Sequence, residues 1–218
     1  IPEGLPAIVT IVLAIGMNRM AARNAIVKKL LAVETLGATT VICSDKTGTL
    51  TQNEMTVVKA YVDDKILDVT GGGYEPVGDV KLDGNKISID SLPDLETFVA
   101  AGALANDALL DNSSGMWKIA GDPTEGAIIT FAGKFGKTRE ELNKKFPRVE
   151  ELPFDSARKM MSTFHANYIP GKIVSFTKGA PDVVISRCTK IALNGEIRDF
   201  TEDLKNKVLA VNTEFAKS

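Results

Sequence analysis

The sequence predicts an α+β fold: an antiparallel sheet with helices, preceded by a long N-terminal helix and the first strand of a second, parallel sheet. Three observations predict it. From Val57 onward, short runs of strand character alternate with turn residues and with a few helical stretches. Ahead of them "TTVICS" is β-branched without polar alternation, as suits a strand buried on both faces of a parallel sheet. Residues 7–36 read as one helix, first apolar and then basic.

Composition bounds the rest. The 218 residues suffice for one large or two small domains with a real core. Acids outnumber bases 28 to 26, a balance that argues against nucleic acid as the main partner. An apolar fraction of 44% argues against bulk disorder. Cys43 and Cys188 are far apart with no CxxC spacing, which disfavours a disulfide framework or a thiolate zinc site. His165 is the only histidine, so His-based metal sites and Ser-His-Asp catalysis find little support.

In chain order, "IPEGLPAIVTIVLAIG" is shorter than the roughly 20 residues of a membrane span. It reads as the end of a spanning helix begun upstream, or equally as a buried core helix. Arg19, Arg23, Lys28 and Lys29 follow, a cationic cluster that fits a cytoplasmic boundary, and Gly37 is a plausible helix stop. Residues 1–17, 18–38, 39–56 and 57–218 are the expected segments. Gly71–Gly73 reads as a flexible connection, since Pro76 stands where a dinucleotide fingerprint wants its third glycine. "KLDGNKISI" is expected to turn at Asp83–Gly84. "LPDLETFVAAGALAND" is a helix from about Asp94, and "MWKIAGDPTEGAIITFAGKFG" a strand, a turn and a helix. "RVEELPFD", "KMMSTFHANY", "KIVSFTKGAP" and "EIRDF" supply strands, with helices after Ala180 and Thr201.

The sharpest chemical candidate lies in "VICSDKTGTLT". A strand that ends in Asp45 delivers a carboxylate to the edge where ligands bind in open α/β sheets. A carboxylate can attack phosphorus and form an aspartyl-phosphate. Lys46 offers charge, though it could equally face solvent. Thr47 and Thr49 offer hydroxyls, and the loop N–H groups around Gly48 can hold phosphate oxygens. Such transfer is mostly positioning and electrostatics, with Mg²⁺ neutralising charge.

"DKTGTLT" is identified as the phosphorylation motif of P-type ATPases, and the resemblance covers the whole chain. "PEGLP" resembles the broken fourth transmembrane helix of the calcium-pump branch, "VTGGGYEPVG" a linker of that branch, and "GDPTEGA", "PFDSARKMMS" and "KGAPD" its nucleotide-binding domain. The resemblance implies that residues 39–56 open the Rossmann-like phosphorylation domain of the HAD type and that residues 57–218 form most of the nucleotide-binding domain. It implies that ATP phosphorylates Asp45, that Asp45 and Thr47 hold Mg²⁺, the threonine through its carbonyl, and that Glu3 binds the transported cation. A carboxylate in a membrane helix is expensive and normally functional, and Pro2 and Pro6 free carbonyls that could join it. Without the motif, Glu3 would read as a first-turn acid favoured by the helix dipole.

For the nucleotide the resemblance implies Phe154 stacking on adenine, contacts from Lys159, Lys178 and Arg158, an adenine contact at Glu125, and close approach at Gly179. From the residues alone Phe154 fits a core equally well. Glu125 completes a capping box with Asp122 at N-cap and Pro123 at N1. Ser156 stands where animal calcium pumps often carry Arg, with Lys159 or Arg158 as the replacement. The second proline of "PEGLP" points to Ca²⁺, with Mn²⁺ and Na⁺ open. The chain is then expected to be a piece of an integral membrane pump, with lipid around residues 1–17, residues 18–218 cytoplasmic, the pump's other domains as partners, and little ATPase activity alone. A soluble phosphatase of the same superfamily and a non-enzymatic nucleotide-binding module are the rival expectations.

Overall fold

The computed structural model describes residues 4–217, and the chain divides into two units, residues 1–52 and 53–218. In the first, α1 (Leu5–Ala21) and α2 (Leu31–Gly37) replace the single helix expected over 7–36. Asn24 adopts the left-handed conformation (φ 63°), which asparagine tolerates, and the Ala25 N–H reaches back to the Met20 carbonyl at 3.0 Å. That is the Schellman way of ending a helix. Among the described residues no helix is long and apolar enough to cross a membrane. The strand expected at "TTVICS" is not formed: the described residues of this unit hold no strand to pair with it, and Val41 and Ile42 are 71% and 87% exposed.

The second unit is α+β with antiparallel strands, as expected. The single sheet expected is instead divided into four small ones. β1 (Lys59–Val62), β2 (Lys65–Val69), β3 (Val80–Leu82) and β4 (Asn85–Lys86) form a meander. Its last hairpin turns at Asp83 and Gly84 (φ 50° and 80°), as "DG" predicts. The Gly71–Gly73 connection is tethered: the Lys134 ammonium donates to the Thr70 carbonyl at 2.8 Å and to that of Val77. After a 3₁₀ turn at Ile89–Ser91 come α3 (Leu95–Leu104), the β5 (Leu109–Asp111) and β6 (Lys118–Ala120) pair, α4 (Pro123–Gly133) and α5 (Arg139–Lys145). β7 (Arg148–Asp155), β8 (Met160–Ala166) and β9 (Ile173–Gly179) make the three-stranded sheet. α6 (Pro181–Arg187), the β10 (Lys190–Leu193) and β11 (Glu196–Asp199) hairpin and α7 (Glu202–Phe215) follow.

The core centres on α3. Its Leu95, Val99, Ala103 and Leu104 are packed with Leu67 and Val80 of the meander, Phe131 of α4, Leu142 of α5 and Phe176 of β9. Gly102 lets α4 come close, because a Cβ there would stand 2.9 Å from Ile128. β1 and β9 each pair on one edge only, and residues of both line an apolar cavity of about 540 Å³, so no ladder joins the two larger sheets.

One buried carboxylate ties distant turns together. Asp63, in the β1–β2 turn, accepts the Asp94 N–H at 3.0 Å and the Asn194 N–H at 2.7 Å, while Asp94 accepts from Gly195 at 3.0 Å. Burial works to raise the Asp63 carboxyl, but these hydrogen bonds outweigh it and leave it lowered. Asp94 goes the other way, raised by burial and by the neighbouring Asp63.

Candidate functional site

The loop Asp45–Thr51 is compact. The Asp45 carboxylate accepts the Thr47 N–H at 3.2 Å, Gly48 takes φ 72°, and the Thr51 N–H closes onto the Lys46 carbonyl at 3.1 Å. One carboxylate oxygen is thus anchored by the loop's own backbone. The segment is exposed, so Asp45 and Lys46 are open to a ligand. Glu3 lies outside the described residues.

In the second unit the expected nucleotide residues gather at one end of the three-stranded sheet. Met160 pairs with both Asp155 and Gly179, and Met161 pairs with Lys178. The β7–β8 ladder steps three residues from Leu152 to Asp155 against two from Ser162 to Met160, a bulge that re-aims the Pro153–Phe154 segment. The Phe154 ring is 65% exposed, so the core alternative does not hold. Singly exposed apolar side chains are ordinary on protein surfaces, so the exposure makes the ring available without assigning it a ligand.

The charged groups are held to different degrees. Lys178 donates from Nζ to Glu125 Oε1 at 2.6 Å, and both side chains are largely withdrawn from solvent. Lys159 sits in the β7–β8 turn with φ 54°, and its carbonyl accepts the Ala180 N–H at 3.0 Å. Its ammonium has no hydrogen bond or ion pair among the described residues, which leaves it available to an anion. The Arg158 guanidinium instead braces the hairpin, donating to the Pro153 carbonyl at 2.9 Å and to that of Met160 at 3.4 Å. Gly179 makes its close approach to the chain itself: a Cβ there would stand 2.4 Å from the Lys159 carbonyl oxygen and 2.6 Å from the Met160 Cβ.

At the start of α4 the expected capping box is half formed. Asp122 accepts the N–H groups of Thr124 at 2.8 Å and Glu125 at 3.3 Å. Glu125 does not reciprocate onto the Asp122 backbone. Its Oε2 accepts the Asp107 N–H at 3.0 Å while Oε1 takes Lys178. Tertiary donors outcompete the local one here, because they bring a cation as well as an amide.

The residues missed from sequence lie behind this pair. "LAND" was expected to continue α3, but the helix ends at Leu104 and the loop turns inward. Asn106 is 0% exposed. It donates from Nδ2 to the Glu125 carbonyl at 3.0 Å and accepts the Ala108 N–H at 2.9 Å. Its own carbonyl accepts from Arg139 Nε at 2.8 Å and Arg148 Nη2 at 2.7 Å. The available signal was a polar dipeptide inside an otherwise apolar stretch, "AAGALANDALL", where a buried amide must find partners.

His165, also fully buried, is no catalyst. Its Nδ1 lies 2.8 Å from the Phe146 carbonyl, which can only accept, so the neutral ring carries its hydrogen there and Nε2 faces the Thr163 hydroxyl at 3.0 Å. No group of three or more potential metal-ligating side chains occurs among the described residues.

An exposed aromatic residue, a lysine without a partner among the described residues and a half-buried Glu–Lys pair thus meet at one sheet end of an α+β unit. The profile of the family described as "P-type ATPase, cytoplasmic domain N" matches residues 94–218. Among the relatives, the calcium-transporting ATPase of Bacillus subtilis (strain 168) is 44% identical over 211 residues, covering 97% of this chain and 24% of the relative. The cation-transporting ATPase pma1 of Synechocystis is 43% identical over 225 residues, covering 97% and 24%. Calcium-transporting ATPase 1 of Lactococcus lactis is 41% identical over 217 residues, covering 100% and 22%. The chain belongs to the P-type ATPase family and spans about a quarter of the length of the curated relatives it matches.

Proposed function

We propose that this chain is the nucleotide-binding and phosphate-accepting part of an ATP-driven cation pump. ATP sits with its adenine on Phe154 and its phosphates toward Lys159 and Lys178. A carboxylate oxygen of Asp45 attacks the γ-phosphorus, the bond to the β-phosphate oxygen breaks, and ADP leaves an aspartyl-phosphate. The observation that carries the ATP reading is the open Phe154 ring at the same sheet end as the available Lys159 and the Glu125-held Lys178.

Mg²⁺ fits the acceptor loop. This ion is usually held by one or two carboxylates together with substrate phosphates and waters, and Asp45 with the Thr47 carbonyl supplies the protein's share. When bound it would neutralise phosphate charge. Lys46 adds a cation to the same exposed loop.

The transported ion is most simply Ca²⁺, bound in part by Glu3. The support is "PEGLP" together with relatives named calcium-transporting ATPases. Lipid around residues 1–17 is supported by α1, which exposes Leu5, Ile8, Ile11, Val12 and Ile15. Residues 18–218 then lie on the cytoplasmic side, beside the remaining domains of the pump.

The test is calorimetric titration of ATP into the 218-residue chain and its Phe154→Ala variant. Stacking on an aromatic side chain is worth ~1–3 kcal/mol per base, so affinity should fall about 5- to 150-fold. A folded variant that binds ATP as tightly as wild type removes the adenine site from Phe154.

A further inference from the structure

We propose that Asn106 is a positioning residue of the nucleotide site: it fixes the Glu125 carboxylate, and through it the Lys178 ammonium. This rests on the reading of that sheet end as an ATP site.

The argument starts from the cost of burying an amide. A side-chain amide withdrawn from water destabilises the fold unless its hydrogen bonds are replaced, so its partners identify its work. Asn106 spends its acceptor on the Ala108 N–H, within its own loop, and its donor on another element, the Glu125 carbonyl in the first turn of α4. The next residue, Asp107, donates its N–H to Glu125 Oε2. Consecutive loop residues therefore grip Glu125 at both its backbone and its carboxylate. The other carboxylate oxygen is left to Lys178.

This grip also explains the half-formed capping box. A glutamate at this helix position ordinarily folds back onto the N-cap amide. Here the Asp107 N–H holds the carboxylate toward β9 instead, where Lys178 meets it. Remove the Asn106 donor and only the Asp107 N–H still ties the loop to the first turn of α4. Glu125 can then return to its cap, and Lys178 loses its fixed partner. Arg148 extends the same scaffold to the other wall. It lies on β7, the strand that carries Phe154, and its Nη2 bonds the Asn106 carbonyl.

The test is a double-mutant cycle read by ATP titration of the 218-residue chain: wild type, Asn106→Ala, Glu125→Ala and the double variant, with Phe154→Ala alongside. A residue that acts through Glu125 loses its effect once Glu125 is truncated, whereas one that merely supports the fold does not. Asn106→Ala is expected to weaken ATP binding about five- to thirty-fold in the wild-type background and less than about two-fold in the Glu125→Ala background. Should Asn106→Ala not fold, Asn106→Asp takes its place. It keeps the acceptor for Ala108 but sets a second acceptor against the Glu125 carbonyl, and the same pair of ratios is expected. Equal losses in both backgrounds, or unchanged affinity in a folded Asn106 variant, overturn the inference while leaving the ATP site standing. Wild type that does not bind ATP, or Phe154→Ala that binds as tightly as wild type, overturns the ATP reading and this inference with it.

Discussion

Replacing Arg148 by methionine should destabilise the protein by roughly 3 kcal/mol, and the figure follows from its four contacts. The side chain is 18% exposed. Nη1 pairs with Asp107 at 2.6 Å and Glu151 at 2.7 Å, but those carboxylates are 53% and 43% exposed, and ion pairs to exposed partners contribute ~0–1 kcal/mol each. Nη2 donates to the carbonyls of Leu104 at 3.0 Å and Asn106 at 2.7 Å. Hydrogen bonds to charged groups contribute ~1.5–3 kcal/mol each. Both carbonyls keep a second donor, the Thr163 hydroxyl at 3.3 Å and Arg139 Nε at 2.8 Å, so neither is orphaned and the lower figure applies to each. Methionine retains part of the stem packing, which adds little to the loss. Urea unfolding followed by far-UV circular dichroism reads the result. With a slope near ~2 kcal/mol per molar, the midpoint should fall by about 1.5 M. Lysine should recover less than half of that, because one ammonium cannot reproduce a planar fork with four acceptors. A shift below about 0.3 M would refute the reasoning, since it would mean that the buried fork contributes no more than a surface pair.

His165 should make stability fall on mild acidification. Burial holds its ring below the ordinary 6.5, with Arg148 and Arg139 adding to the push, against the pull of the Phe146 carbonyl. The unfolded chain binds a proton near 6.5 and the folded one only lower, so the stabilisation is complete above 6.5 and is lost as pH falls through the folded value. As the only histidine, it should account for the slope of unfolding free energy just below pH 6.5, and His165→Gln should flatten that slope. A slope that persists in the variant assigns it elsewhere. Asp122→Ala removes an N-cap that accepts two amides and should cost ~1 kcal/mol by thermal or urea unfolding; a loss under about 0.3 kcal/mol would mean solvent caps α4 equally well.

Local signals carried most of the second unit into the sequence reading. "DG" at 83–84, the Asp94 and Asp122 helix starts and the short strand runs of β8 and β9 are decided by residues within a few positions of each other. Long-range competition decided what was not legible. Glu125 left its predicted cap for Asp107 and Lys178, which lie 18 and 53 residues away. Asn106 turned inward because Arg139, Arg148 and α4 were there to receive it. The α1–α2 break turned on one left-handed asparagine that periodicity cannot see, and a parallel strand at 39–44 could not form without neighbours. In the candidate site the exposure of Phe154 removed the core alternative that sequence had left open, whereas the commitments of Arg158 and Gly179 to their own hairpin came only with the fold.

The Asp63 carboxylate has a consequence for the chain as it is made. Its partner amide at Asn194 is 131 residues further along. At ~5–20 residues per second of synthesis, Asp63 waits roughly 7 to 26 s before that partner exists. Through that interval the β1–β2 hairpin can close locally, yet its buried acid has only the Asp94 amide. The β10–β11 hairpin follows every other described strand of the unit and fills the remaining oxygen, so the ribosome's timetable closes this latch late.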